Sequence, residues 1–171
     1  AVALAASPAH AIEAGASATV WIDQSPRIPE EPRPMSNAAL VRTAGALLFV
    51  AGAVLLMGII TAEALYPAPY TTGGNEISDL GGTRPPEGLV LQPSATIFNL
   101  TMIVGGLLVL GAAACLQAGL GRRSTSIIVG LLGVGALGVG VFPGNVAGFH
   151  AIFALLTFVS GGLAAIVTAA V

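Results

Sequence analysis

Apolar positions along the chain gather into long blocks instead of recurring at the period of a surface helix or strand. Four such runs cover residues 43–65, 95–120, 125–142 and 147–171, and the only acidic or basic residue inside any of them besides His150 is Glu63. A helix rises 1.5 Å per residue, so about 20 apolar residues cross a hydrocarbon layer of ~30 Å. Each run meets that length, the third only just. All 11 prolines fall outside the runs or at their edges, where water or headgroups satisfy the backbone groups that a proline frees. The pattern predicts an all-α protein, a polytopic transmembrane helical bundle with four spans in this chain.

Composition agrees with the pattern. Charged residues make up 8% of the chain and hydrophobic ones 55%, against about 25% charged in soluble domains. A net charge of −2 gives no basic footprint for nucleic acid, and one cysteine, Cys115, excludes an intrachain disulfide or a CxxC redox pair. All six basic residues are arginine and alanine is abundant, a usage that points to a GC-rich bacterial genome.

Residues 1–34 break the pattern. They hold five prolines and six of the fourteen charges, and the stretch SPRIPEEPRP is incompatible with a helix. The alanine-rich first twenty residues lack the basic start and solid apolar centre of a secretory signal. Residues 1–34 therefore read as a disordered or extraneous tail, with a short surface helix over 9–20 as the alternative, and 35–171 as the bundle. Val171 falls inside an apolar run with no flanking charge, which predicts truncation or an unfinished bundle whose remaining spans are missing.

Arginines set the orientation. Arg27, Arg33 and Arg42 precede the first span, Arg122 and Arg123 form the turn between spans two and three, and Arg84 lies alone in the loop 66–94. A cytoplasmic N-terminus leaves five arginines inside and one outside, the ratio the positive-inside rule selects. The expected location is the bacterial plasma membrane, multi-pass, with loop 66–94 on the outer side.

Small residues predict close helix packing. Gly133, Ala136 and Gly140 share one face of span three, and Gly161, Ala165 and Ala169 one face of span four. Such faces let backbones approach, the main attraction between helices in lipid. They serve packing within the bundle or, as the alternative, self-association or a membrane-protein partner.

The threading brings the informative polar residues to one membrane face. Glu63 closes span one, Asn75 and Asp79 lie in the loop, Asn99 sits one turn into span two, Asn145 in the next turn and His150 at the start of span four. An ionisable group at membrane depth is by default a functional candidate. Glu63, Asp79 and His150 are the candidates for acid–base chemistry, and Tyr66, Asn75, Asn99 and Asn145 for ligand binding. The competing reading is structural: Glu63 snorkels to the interface and His150 bonds a backbone carbonyl. No GxSxG, HExxH or P-loop motif occurs, and two histidines with no cysteine pair make a metal site weak. Neither a metal nor a cofactor is expected.

The order ALYPAPYTTGGNEISDLGG, ATIFNLT, GVGVFPGN and then a histidine resembles an uncharacterised bacterial multi-span membrane family catalogued as domain of unknown function 998. Its most specific part here is Tyr66, Pro67, Tyr70, Asn75, Ile77, Ser78, Asp79, Leu80 and Gly81, followed by Phe98–Asn99 and Phe142–Pro143. The resemblance covers about residues 36–171, extends to the six-span group containing the Frag1, DRAM and Sfk1 proteins, and implies about six spans where this chain has four, hence a truncated six-span bundle, but no activity. Two functions remain open at this point. One is a non-enzymatic lipid-associated or partner-supporting bundle with an ordered extracytoplasmic loop. The other is a membrane enzyme acting on a lipid-linked substrate at an outer-leaflet Glu/Asp/His site, which requires Glu63, Asp79 and His150 to converge.

Overall fold

The computed structural model describes residues 34–169; the expected tail at 1–34 lies, apart from Pro34, outside the described residues. Four helices follow in order: α1 Asn37–Ala64, α2 Ser94–Leu120, α3 Arg123–Val141 and α4 Ala147–Ala169. A single 3-10 turn, Ile77–Leu80, interrupts the long loop between α1 and α2. Each of the four helices is long and apolar enough to cross a membrane, and the described residues contain no strand.

Two boundaries differ from the expected ones. α1 begins six residues before Thr43, because the Ser36 hydroxyl accepts the amide of Ala39 at 3.2 Å and caps a run of helix-competent residues. Its 28 residues extend about 42 Å, and the surplus holds Asn37 and the exposed Arg42, groups suited to the interface. The turn between α2 and α3 is Gly121–Arg122, not Arg122–Arg123. Gly121 takes the left-handed conformation at φ 64°, which ends α2. Arg123 already lies in α3, and the Arg122 carbonyl accepts both the amide and the hydroxyl of Ser126.

Each helix packs on its neighbour in sequence, α1 on α2, α2 on α3 and α3 on α4, and α1 and α4 share no comparable interface. The middle helices are therefore buried on two flanks. The edge helices present large apolar side chains outward, with Phe49 79% and Phe158 77% exposed. Water would make that surface costly, while lipid covers it.

Glycines of α3 serve both flanks within the chain. A β-carbon on Gly133 or Gly140 would press on the α2 backbone at Gly106 or Asn99, and one on Gly135 or Gly138 would strike Thr157 or Phe153 of α4. Gly161 of α4 lies beside Leu132. The core has two clusters, one around Ala51, Val109, Ala113 and Val129, the other around Ala62, Phe98, Met102, Ala136 and Val139. The second cluster also contains Leu80, a loop residue only 1% exposed. Burying a leucine contributes about 1.5–3 kcal/mol, so Leu80 pins the loop to the helices.

Candidate functional site

The loop is built on local hydrogen bonds. The amide of Tyr66 donates to the Glu63 carbonyl at 3.1 Å as α1 ends. The rings of Tyr66 and Tyr70 then meet edge to face, centroids 5.5 Å apart and planes at 63°, the geometry that ring quadrupoles favour. The Tyr70 hydroxyl donates to the Glu76 carbonyl at 3.3 Å. Asn75 Oδ1 accepts the Thr71 amide at 3.1 Å and closes a turn. Asp79 Oδ2 accepts the Glu76 amide at 2.9 Å and so caps the 3-10 turn, whose own backbone bond runs from the Asp79 amide to the Glu76 carbonyl. Arg84 pairs with Glu76 at 2.8 Å at the exposed surface.

Beyond the turn the loop enters the bundle mouth. The Ser94 hydroxyl, fully buried at the start of α2, donates to the Leu80 carbonyl at 3.0 Å. Asn99 Nδ2 donates to the Gly81 carbonyl at 3.2 Å. Gly82 lies against Pro143 and Asn145 of the turn between α3 and α4. Two amide oxygens in this layer, Asn99 Oδ1 and Asn145 Oδ1, are buried and accept no hydrogen bond from the protein. Both lie against the glycine pair, Asn99 Oδ1 at Gly81 and Asn145 Oδ1 at Gly82. Buried acceptors of this kind call for a donor such as an ordered water.

His150 is 3% exposed and its Nδ1 lies 2.8 Å from the Phe142 carbonyl. A carbonyl oxygen only accepts, so Nδ1 carries the hydrogen and, in the neutral ring, Nε2 keeps a lone pair. Phe142 stacks on Phe149 and on Phe153, centroids 5.2 and 5.4 Å away. The aromatic stack and the histidine bond together fix the bend from α3 into α4.

Electrostatics single out the tyrosines. Burial raises the hydroxyl pKa of Tyr66, and the charge of Asp79 adds to it. Burial likewise raises that of Tyr70, followed by Glu63 and Asp79 and then by Tyr66. Desolvation and nearby anions both disfavour a phenolate.

The candidates named from sequence thus separate into groups. Asn99 and Asn145 converge on Gly81–Gly82. Tyr66 meets Tyr70 edge to face, and the charges of Glu63 and Asp79 act on Tyr70. Asn75 is spent on its own turn. Glu63 and His150 do not meet: Glu63 is exposed on α1, His150 is buried on α4, and those helices have no comparable interface. No hydrogen bond joins Asp79 to His150 or Asn99 among the described residues. Those residues also hold no group of three or more His, Cys, Asp or Glu arranged for a metal ion. Sequence reasoning missed Ser94 and the weight carried by Tyr70. Ser94 follows Pro93 at a helix start, which signals a helix terminus but not a bond to a carbonyl fourteen residues earlier.

Four apolar helices, outward-facing aromatic and aliphatic side chains and a loop folded into one end define a multi-pass α-helical membrane protein. A family model described as "Protein of unknown function (DUF998)" matches residues 49–171, and the chain belongs to that family. No curated protein and no solved structure matches the chain.

Proposed function

We propose that this protein is a non-enzymatic, lipid-associated helical bundle of the bacterial plasma membrane, with its N-terminus in the cytoplasm and the 66–94 loop as a fixed extracytoplasmic cap. The observation that carries the reading is the way the loop closes the bundle mouth. Leu80 is buried, Ser94 and Asn99 bond the Leu80 and Gly81 carbonyls, and Gly82 packs on the next turn. A cap held by backbone bonds and core burial suits a scaffold at the membrane surface. Acid–base catalysis needs paired groups within hydrogen-bond reach, and Glu63 and His150 lie on helices that share no interface comparable to those between sequence neighbours.

The apolar faces of α1 and α4 support lipid as the partner, since both helices are exposed along most of their length. Orientation follows from the five-to-one arginine division. Native mass spectrometry of the full chain released from detergent tests the association. Retained phospholipid is expected, and a lipid-free spectrum under gentle release overturns the reading. Cysteine labelling in a Cys115→Ser background tests the orientation. Label added outside should reach a cysteine at Asn75 and not one at Arg122; the reverse result inverts the topology.

A further inference from the structure

The two ends of the bundle carry opposite charge. The described acids, Glu63, Glu76, Asp79 and Glu87, lie at the end of α1 and in the loop, while Arg42, Arg122 and Arg123 lie at the other end. Backbone contact joins the segments that bear these arginines. A β-carbon on Gly119 would lie 3.1 Å from the Asn37 carbonyl, Leu40 and Val41, so the start of α1 packs on the end of α2. Gly121 then turns the chain directly into Arg122 and α3. All three arginines are exposed, and no ion pair reaches them among the described residues.

The start of α3 is open. Its N-cap residue is Arg122, whose side chain only donates and caps nothing. The amides of Arg123, Ser124 and Thr125 find no acceptor among the described residues. Three such donors at the positive end of a 19-residue helix attract an anion. Thr125 points to the same ligand independently. It is only 8% exposed, yet its hydroxyl bonds nothing among the described residues, whereas the neighbouring Ser126 hydroxyl is spent on the Arg122 carbonyl at 3.1 Å. Helical side chains lean toward the N-terminus, and Thr125 shares a face with Arg122 three residues earlier, so the idle hydroxyl leans toward the open amides. Unlike the amide oxygens of Asn99 and Asn145, its oxygen is not sealed from outside, and a ligand can reach it.

Amides, a hydroxyl and guanidinium groups in one place suit a phosphate, which accepts from all three and pairs with arginine bidentately. The adjoining surface favours a phosphate that carries acyl chains. Arg123 shares a face of α3 with Ile127, Leu131 and Val134, at spacings of four, eight and eleven residues. All three side chains are exposed, and they run from the arginine into the membrane.

We propose that the open start of α3, with Arg122, Arg123 and Thr125, binds the phosphate of an anionic phospholipid whose acyl chains lie along Ile127, Leu131 and Val134, with Arg42 adding to the attraction. The proposal rests on the lipid-associated reading above and deepens it by naming the headgroup charge and the end of the bundle that holds it.

The test is native mass spectrometry of the full chain from nanodiscs containing equal parts of phosphatidylglycerol and phosphatidylethanolamine with identical acyl chains. Wild type is expected to retain the glycerol lipid about five- to thirtyfold over the ethanolamine lipid, a factor of about five for each arginine beside the anion. Replacing Arg122→Gln and Arg123→Gln together should erase the preference. Replacing Arg122→Glu and Arg123→Glu together should reverse it toward the ethanolamine lipid, a gain that a misfolded variant would not show. Thr125→Val keeps the shape and every charge but removes the hydroxyl, and should lower the preference about two- to fivefold. A preference that survives Thr125→Val in full would reduce the contact to surface charge and overturn the site. Arg84→Gln removes an arginine from the opposite end and should leave the preference intact; its loss there would also overturn the assignment. Inorganic phosphate should not displace the bound lipid, and displacement would reassign the site to a free anion and overturn the lipid. Lipid retained with no headgroup preference overturns this proposal but leaves the lipid-associated reading standing, whereas no retained lipid overturns both.

Discussion

Gly144, in the turn between α3 and α4, packs directly on the carbonyl oxygen of Gly82 in the long loop, so closely that no β-carbon fits between them. Two segments far apart in sequence meet there backbone to backbone. The contact closes the bundle mouth over α3 and α4, as Ser94 and Asn99 close it over α2.

Gly144→Ala is therefore expected to push the loop off the turn. Forcing a methyl into a packed site costs about 1–3 kcal/mol. The variant should melt at lower temperature and be cut in the loop by protease at a rate at which wild type resists. Unchanged melting together with unchanged cleavage would mean that the loop is not held at this point.

Ser94→Ala should act at the other anchor. Its hydroxyl is the buried donor to the Leu80 carbonyl, and leaving a buried acceptor unpaired costs about 1–3 kcal/mol. Thermal stability should fall by that order while the helical content by circular dichroism stays the same. A variant as stable as wild type would show that Leu80 burial alone holds the loop.

The two asparagines should respond differently to leucine. Asn99→Leu removes the donor to the Gly81 carbonyl and is expected to cost about 1–3 kcal/mol. Asn145→Leu deletes an acceptor that no protein group satisfies, so it should cost less than Asn99→Leu. Equal destabilisation of both variants would show that Asn145 holds a bound donor, such as a water, that contributes to stability.

The chain contains only two tyrosines, so alkaline titration of phenolate absorbance reads both directly. Each should titrate above 10.0 in the folded protein and return to about 10 in denaturant. Because the folded values are raised, the stability contributed by the neutral phenols is fully present below pH 10.0 and is lost as pH rises through the raised values. Tyr66→Phe isolates Tyr70, and adding Glu63→Gln should then lower its midpoint, since Glu63 is one of the charges acting on it. A midpoint unmoved by that change would separate Glu63 from the aromatic pair.

The architecture was legible in the chain because a membrane span needs only length and apolarity, both local properties. Runs of such residues with prolines at their margins placed four helices within a few residues. The boundary errors arose where a cap decided the outcome: Ser36 extended α1, and Gly121 moved the next turn by one residue. Small residues along 133–140 announced close packing, but glycine spacing carries no address. Which glycine met α2 and which met α4 depended on how α3 was rotated between them.

The candidate site divides in the same way. From sequence, alternation of spans was enough to gather Glu63, Tyr66, Asn75, Asp79, Asn99, Asn145 and His150 at one end of the bundle. Alternation sets the depth of a residue and leaves open the flank on which it falls. The sequential packing order separates α1 from α4, and with them Glu63 from His150. Partners fourteen and eighteen residues apart, Ser94 with Leu80 and Asn99 with Gly81, were set by the path of the loop back into the mouth. The sequence thus determined the spans and the end of the bundle at which each polar group lies, because hydrophobicity acts residue by residue. Only tertiary structure decided which of those groups touch, because hydrogen bonds and ring contacts act over a few ångströms and depend on helix rotation and loop path that no local pattern encodes.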